Sequence, residues 1–227
     1  MSNNGANIVQ GNGNIVEIKD LVKRFPMGDD EITVLKGISF DVENGEFVTI
    51  VGPSGNGKST LLNMITGIDR PSAGEVIVTG RLVNRMSENE LADWRGDHVG
   101  IIFQFFQMLP SLSLLQNVIL PMDFARKYSP KEREERAMDL LERVGLADQV
   151  NKLPGQVSGG QQQRAAIARS LANDPALLVA DEPTGNLDTR TTDDVFRLFN
   201  DMVEQGKTLL MVTHDKELAR QVPRVIE

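Results

Sequence analysis

The chain has 227 residues, of which 40% are hydrophobic and 25% charged, as is ordinary for one globular domain or one domain with a sizeable insertion. It contains no cysteine, which excludes disulfides and thiolate metal sites, and its net charge of −8 argues against general nucleic-acid binding. The longest apolar runs, such as 176–180, fall far short of the ~20 residues that span a bilayer, so a second chain must supply any membrane part.

The amino-terminal half reads as sheet with one helix. Residues 1–14 are rich in Asn and Gly and lack a basic cluster or apolar run, so they are expected to form a flexible tail and not a signal peptide. β-branched and aromatic residues predict strands at 15–25, 32–42 and 46–52. A helix is expected from Gly57 to Gly67, followed by more sheet over 70–104, with strands at 75–79 and 99–103.

The carboxyl-terminal half changes character. A helical region is predicted over 113–145, and its second helix begins at a capping box of Ser129 and Glu132 with Pro130 at the first helical position. Beyond it, helices at 159–172 and 189–205 alternate with continuous apolar strands at 176–180 and 208–213. This alternation predicts a mostly parallel sheet covered on both faces, interrupted by a helical subdomain.

The strongest local motif is a glycine-rich run matching the Walker A pattern G-x-x-x-x-G-K-[ST], namely Gly52, Pro53, Ser54, Gly55, Asn56, Gly57, Lys58, Ser59 and Thr60. An apolar strand precedes it and a helix follows, which is the arrangement of a phosphate loop whose N–H groups point at an anion. Lys58 can then reach the β- and γ-phosphates, and Ser59 can ligate Mg²⁺. The alternative is a chance match in a glycine-rich turn, and the flanking strand and helix argue against it.

A pair of acidic residues follows the buried strand at 176–180. Asp181 and Glu182 stand at its carboxyl end, where parallel α/β sheets usually carry their sites. Asp181 is placed to hold Mg²⁺, directly or through water, and Glu182 to accept a proton from an attacking water. The alternative is an exposed acidic turn before Pro183.

A third segment resembles the signature sequence of the ATPase subunits of ABC transporters, and it reads Val157, Ser158, Gly159, Gly160 and Gln161. Four further elements of that family occur in order, an adenine-stacking aromatic residue, a Q-loop, a D-loop and a switch histidine, at Phe25, Gln104, 185–188 and His214. The resemblance covers about 15–226.

The resemblance implies a role for each of these elements. The tip formed by Ser158, Gly159, Gly160 and Gln161 would face the γ-phosphate held by a second copy, so that two ATP molecules are sandwiched between head-to-tail domains. Taken alone, the same tip is only a capped helix start.

Three other residues have roles implied in the same way. Gln104 would sense Mg²⁺ and water, His214 would contact the γ-phosphate and the attacking water, and Asp188 would work across the dimer interface. Their plain structural alternatives are a strand-end amide, a satisfied polar group and a helix cap, and for Phe25 an ordinary core aromatic.

The fold class implied is α/β, a phosphate-loop NTPase core with a mostly parallel sheet flanked by helices, an N-terminal antiparallel β subdomain and an inserted α-helical subdomain at approximately 105–172. The ATPase domain would span 15–227. The function implied is hydrolysis of ATP, with Mg²⁺, by a homodimer that powers a separate integral membrane permease and binds no nucleic acid. Its expected location is cytoplasmic, peripheral on the inner face of the cell membrane.

Departures from the common family pattern refine this expectation. Phe25 stands where Tyr is frequent, and Val157 where Leu is frequent. The D-loop Gly-Asn-Leu-Asp resembles the branch of macrolide-exporter and lipoprotein-releasing ATPases, which indicates export or mechanotransmission. Family members usually continue with a further strand and turn after a segment like 222–226, so a truncated C-terminus is one interpretation of the end at Glu227.

Apolar residues crowd the stretch 103–122, and they are either ordinary core or part of a groove that receives a permease helix: Phe103, Phe105, Phe106, Met108, Leu109, Leu112, Leu114 and Leu115. Three rival functions fit the sequence less well. ABC-type ATPases that act on DNA or ribosomes usually carry long coiled-coil insertions or two ATPase domains, and this sequence shows neither. The signature segment argues against a phosphate-loop kinase or GTPase, and Glu182 with His214 argues against a binding module without hydrolysis.

Overall fold

Strands dominate the first part of the chain and alternate with helices in the second. The computed structural model describes residues 13–227. Over that range the strands are β1 Asn14–Met27, β2 Asp30–Glu43, β3 Phe47–Val51, β4 Ala73–Val78, β5 Arg81–Leu82, β6 Val99–Ile102, β7 Leu177–Asp181, β8 Thr208–Thr213 and β9 Arg224–Ile226. The α-helices are α1 Lys58–Ile65, α2 Glu88–His98, α3 Leu114–Phe124, α4 Pro130–Arg143, α5 Gly159–Ser170, α6 Thr189–Glu204 and α7 Lys216–Ala219.

The first sheet is antiparallel and has the strand order β2-β1-β4-β5. β1 pairs with both β2 and β4, and its buried residues include Val16, Ile18 and Leu21. Asn14, which the sequence placed in the tail, is the first residue of β1. Residues 1–12 of the predicted tail lie outside the described residues.

The second sheet is parallel and has the order β6-β7-β8-β3-β9. Every residue of β3 and β8 is buried, because helices or the first sheet cover both faces. Along β7, Leu178 and Ala180 enter the core shared with the helical region, while Leu177 and Val179 enter the core shared with α1 and the first sheet. The carboxyl ends of β7, β8 and β3 are therefore neighbours at one edge.

The helical region packs on one face of this sheet. Apolar residues of α3, α4 and α5 form one cluster with β6 and β7, including Leu114, Val118, Leu141, Ala165 and Ile102. Ser129 and Glu132 form the predicted capping box at the start of α4. The predicted α/β class, antiparallel first sheet and helical insertion are confirmed.

One element differs from the sequence expectation. The stretch 70–104, expected to be sheet throughout, contains the eleven-residue helix α2 between β5 and β6. Ser87 and Glu90 form a capping box that begins it, but only Leu91 and Trp94 are buried along its length. Two buried apolar residues in three turns give too weak a helical period for the sequence to predict this helix. Tertiary packing of Trp94 therefore stabilises α2.

Candidate active site

The phosphate-loop motif connects β3 to α1. The loop at 53–56 is exposed, and Gly57 forms the N-cap of α1 with a φ of 83°. A side chain at this position would meet β2, because an added Cβ would stand 2.8 Å from Val34 Cγ1. Gly57 therefore serves both the left-handed turn and the close approach of the first sheet, and α1 starts with its free N–H groups at the loop.

Lys58 folds back over its own loop. Its Nζ donates to the carbonyls of Gly52 and Pro53, at 2.7 Å and 3.0 Å, and lies 3.9 Å from Oε1 of Glu182. The side chain is largely buried, with 10% of its surface exposed. The ammonium group is thus held between the loop carbonyls and the acid that follows β7.

Ser59 and Asp181 meet across the sheet edge. Ser59 Oγ donates to Asp181 Oδ1 at 3.1 Å. Burial raises the pKa of Asp181, as does repulsion from Glu182, while the Ser59 hydrogen bond and Lys58 act in the opposite direction. A hydroxyl and a half-buried carboxylate whose charge is incompletely compensated are hard oxygen donors of the kind Mg²⁺ takes, together with phosphate oxygens. These residues fit the predicted cation.

Glu182 lies at the centre of the remaining polar contacts. Its Oε2 is 2.9 Å from His214 Nδ1 and accepts from Thr213 Oγ1 at 3.2 Å. Its side chain is 13% exposed, and its backbone φ is 47°, a left-handed value that is costly for a residue with a Cβ. Because its N–H donates to the Val212 carbonyl at 3.0 Å, β8 fixes the acid in register with His214.

Gln104 follows β6 and reaches the segment after Glu182. Its carbonyl accepts from Asn186 Nδ2 at 3.0 Å. Asp188 caps α6, accepting from Thr191 N at 3.0 Å and from Thr191 Oγ1 at 2.8 Å. Asp188 is therefore a helix cap in the single chain, and these hydrogen bonds lower the pKa of its exposed carboxylate.

The signature segment forms the tip of α5. Ser158 accepts from the N–H of Gln161 at 3.3 Å, and Gln161 Oε1 accepts from the Ser158 N–H at 2.9 Å, which completes a capping box. Gly160 packs so closely on the first turn of α6 that an added Cβ would stand 2.5 Å from Thr191 Cγ2. The tip is thereby attached to α6, with Ser158 exposed to solvent.

Phe25 lies near the end of β1, opposite Ile32 of β2. Its ring is half-buried, and the ammonium group of Lys23 lies 4.8 Å from the ring centroid. Lys23 also donates to Asp69 Oδ1 at 2.8 Å. The aromatic ring is therefore held by a buried cation at the rim of the first sheet.

The structure brings together Lys58, Ser59, Asp181, Glu182 and His214, and Gln104 contacts the segment after Glu182 through Asn186. The signature tip is not part of this cluster and packs instead on the first turn of α6, where Gly160 meets Thr191. Sequence reasoning did not single out Gln163 of α5, which contacts Pro183, or Arg169, which donates to the carbonyls of Phe106 and Gln107. Both lie inside a helix that reads as ordinary core, so their spacing carries no signal. The assembled site defines a phosphate-loop, nucleotide-hydrolysing domain.

Comparison with known proteins narrows this class. The family model described as ABC transporter matches residues 35–185. An ABC transporter ATP-binding protein of Thermotoga maritima, itself uncharacterised, is 49% identical over 204 residues, covering 90% of this chain and 87% of that protein. The macrolide export ATP-binding/permease protein MacB of Bartonella henselae is 42% identical over 213 residues, which is 94% of this chain but 32% of MacB.

A solved structure agrees with the family match. The ATP-binding cassette MJ0796, in a dimeric post-hydrolysis state bound to ADP and Pi, matches with a TM-score of 0.87 and 42% identity over 93% of each chain. The chain therefore belongs to the ABC transporter family and is an ATP-hydrolysing subunit of such a transporter. Within residues 13–227, no helix has the length and apolar character needed to cross a membrane.

Proposed function

We propose that two copies of this chain bind two ATP molecules between them, head to tail, and that closure and hydrolysis drive a separate membrane permease. The observation that carries this proposal is the convergence of Lys58, Ser59, Asp181, Glu182 and His214 at the carboxyl edge of β3, β7 and β8. Such an edge is the position where α/β sheets bind their ligands.

The phosphate loop binds the nucleotide. Loop N–H groups at 52–60 and the start of α1 surround the phosphates, and Lys58 exchanges its two carbonyl partners for phosphate oxygens. Ser59, Asp181 and Gln104 would hold Mg²⁺, which would neutralise charge on the phosphate oxygens of bound ATP. Phe25 offers its ring to the adenine.

Glu182 is the general base. Its carboxylate, fixed by Thr213 and His214, accepts a proton from the water that attacks the γ-phosphate. Lys58 and His214 stabilise the negative charge on the transferred phosphoryl group, and most of the rate enhancement comes from positioning and electrostatics. The fixed orientation of Glu182 supports this assignment.

A second copy completes the site. The α5 tip formed by Ser158, Gly159, Gly160 and Gln161 presents helix N–H groups to the γ-phosphate bound by the other copy. Asp188, at the start of α6 beside this tip, lies at the same interface. The dimeric state of MJ0796 supports the assembly.

The permease contacts a groove between α2, β6 and α3. This cavity of about 920 Å³ is lined by Phe103, Phe124, Arg126 and Arg169, among other residues. The apolar stretch 103–122 contributes both to the core and to the surface, because Leu114 is buried while Phe105 remains 68% exposed. A helical segment of the permease would cover the exposed part.

The remaining assignments follow the branch resemblance. The ATPase domain spans 15–227 with its helical subdomain at approximately 105–172, and the dimer is peripheral on the cytoplasmic face of the cell membrane through the permease. The match to MacB, an export protein with its own permease part, supports export or mechanotransmission.

The proposal is tested by Glu182→Gln, which keeps the size of the side chain and removes the base. We expect hydrolysis to be nearly abolished while ATP with Mg²⁺ still produces a stable dimer, seen by size-exclusion chromatography. Glu142→Gln, at an exposed position on α4, is the matched control and should behave as the unmodified protein. Normal turnover by Glu182→Gln, or no ATP-dependent dimer, would refute the proposal.

A further inference from the structure

Gln163 connects the signature helix to the acid after β7. This residue lies in the second turn of α5 and is fully buried, with 0% of its surface exposed. Its Nε2 donates to the carbonyl of Pro183 at 2.6 Å. Pro183 directly follows Glu182, so the bond holds the peptide next to the proposed general base.

The same amide is only half satisfied. Gln163 Oε1 is buried and has no hydrogen-bond partner among the described residues. An unpaired buried acceptor is unfavourable, and an apolar side chain of the same size would remove it but would leave the buried Pro183 carbonyl unpaired instead. The amide therefore keeps one acceptor unpaired, and what it supplies that an apolar residue cannot is the bond to the Pro183 carbonyl.

The backbone of Glu182 needs such support. Its φ of 47° is costly for a residue with a Cβ and persists only where surrounding contacts fix it. The Glu182 N–H donates to the Val212 carbonyl, and the Glu182 carbonyl accepts from the Gly185 N–H at 3.1 Å. Pro183 has no N–H to contribute, so the Gln163 bond fixes the next carbonyl in the turn.

We propose that Gln163 is a positioning residue for Glu182 of its own chain: the bond to the Pro183 carbonyl holds the left-handed turn that directs the carboxylate toward the phosphate loop. The proposal rests on the proposed function, in which Glu182 is the general base. The hydrogen bond of Gln163 goes to Pro183 and not to the phosphate loop, so we expect the residue to act on the rate of hydrolysis and not on ATP binding.

A rival explanation uses the same bond in the other direction. Gln163 lies one turn from the α5 tip, so the bond to Pro183 could instead hold the tip for the nucleotide of the second copy. The two explanations differ in which ATP site of the dimer loses activity, because Glu182 and the α5 tip of one chain serve opposite sites.

Gln163→Met separates them, since Met keeps the length of the side chain, favours helix and removes both the donor and the unpaired acceptor. Two mixtures are prepared before ATP is added. In the first, Gln163→Met copies at low concentration meet an excess of Glu182→Gln copies, so the working site uses the Glu182 of the Gln163→Met copy. In the second, unmodified copies meet an excess of copies with both changes, so the working Glu182 is unmodified and the opposing tip lacks the bond.

Phosphate release per low-concentration copy is compared with unmodified copies in excess Glu182→Gln. We expect at least about a tenfold loss in the first mixture, as small misplacements of a reacting group cost this much or more. The second mixture should match the control within about twofold. Loss confined to the second mixture, equal loss in both, or no loss in either would overturn the proposal.

Two further readouts separate positioning from misfolding and from failure of the premise. Gln163→Met alone should form the ATP-dependent dimer at the same ATP concentration as the unmodified protein. Its urea midpoint should change little, because the variant removes one unpaired acceptor, Gln163 Oε1, and leaves another, the Pro183 carbonyl. A shifted ATP requirement, or unfolding at a much lower urea concentration, would contradict a pure positioning role. Normal hydrolysis by Glu182→Gln alone would instead overturn the role of Glu182, whatever Gln163→Met does.

Discussion

Gly57 offers a quantitative test of how the first sheet supports the phosphate loop. Gly55 and Gly57 have the same φ of 83°, but an added Cβ has open space at Gly55 and stands 2.8 Å from Val34 Cγ1 at Gly57. Alanine in this left-handed conformation costs ~1–2 kcal/mol at either position. The contact with Val34 adds overpacking of ~1–3 kcal/mol at Gly57 alone.

The measurement is urea unfolding, monitored by the fluorescence of Trp94, the one tryptophan of the chain. It compares Gly55→Ala, Gly57→Ala and the double variant Gly57→Ala with Val34→Ala. We expect Gly57→Ala to be less stable than Gly55→Ala by at least about 1 kcal/mol. Val34→Ala should recover part of that difference, as contacting residues are energetically coupled. Equal losses in Gly55→Ala and Gly57→Ala, or no recovery, would refute the close approach of β2 to the loop.

Three further outcomes are expected. Asp188→Asn keeps the cap on α6 and should preserve stability while slowing hydrolysis, whereas Asp188→Ala should also lose ~1 kcal/mol in urea unfolding. Full activity of Asp188→Asn would mean that Asp188 serves only as a helix cap. Burial lowers the pKa of His98 below 6.5, so the folded protein loses stability as pH falls below that value. His98→Gln should therefore gain stability relative to the unmodified protein between about pH 7.5 and about pH 5.5. A stability difference between the two proteins that does not change with pH would contradict this sign. Phe105→Glu should keep ATP binding and lose permease-stimulated hydrolysis, whereas Met138→Glu on α4 should lose neither; retained stimulation in Phe105→Glu would remove that face from the permease contact.

Much of the fold follows from local patterns in the sequence. The apolar runs of β7 and β8 and the capping box at Ser129 depend on neighbours within a few residues, so the sequence alone indicates them. The same holds for the phosphate loop, because its glycines and Lys58 are contiguous. The sequence does not indicate helix α2, because its burial depends on Trp94. The Nε1 of Trp94 donates at 2.9 Å to Oγ1 of Thr79, which lies outside the helix.

The contacts inside the site could be predicted only in part. Asp181 and Glu182 were expected at the carboxyl edge of the sheet, but the pairing of Glu182 with His214 depends on the register of β7 against β8. The bond from Gln163 to Pro183 depends on how α5 packs under the site, which has no local signature. Tertiary packing therefore sets the geometry of residues whose types the sequence already indicates.

The central claim is that each ATP is completed by the α5 tip of the other copy, and a complementation assay tests it most directly. Lys58→Ala disables the phosphate loop, while Ser158→Asp keeps the helix cap and places a negative charge where the γ-phosphate would lie. Each variant alone should be inactive. A mixture of the two should regain hydrolysis, because one site of the mixed dimer combines an intact loop with an intact tip. A mixture as inactive as its components would contradict completion by a second copy.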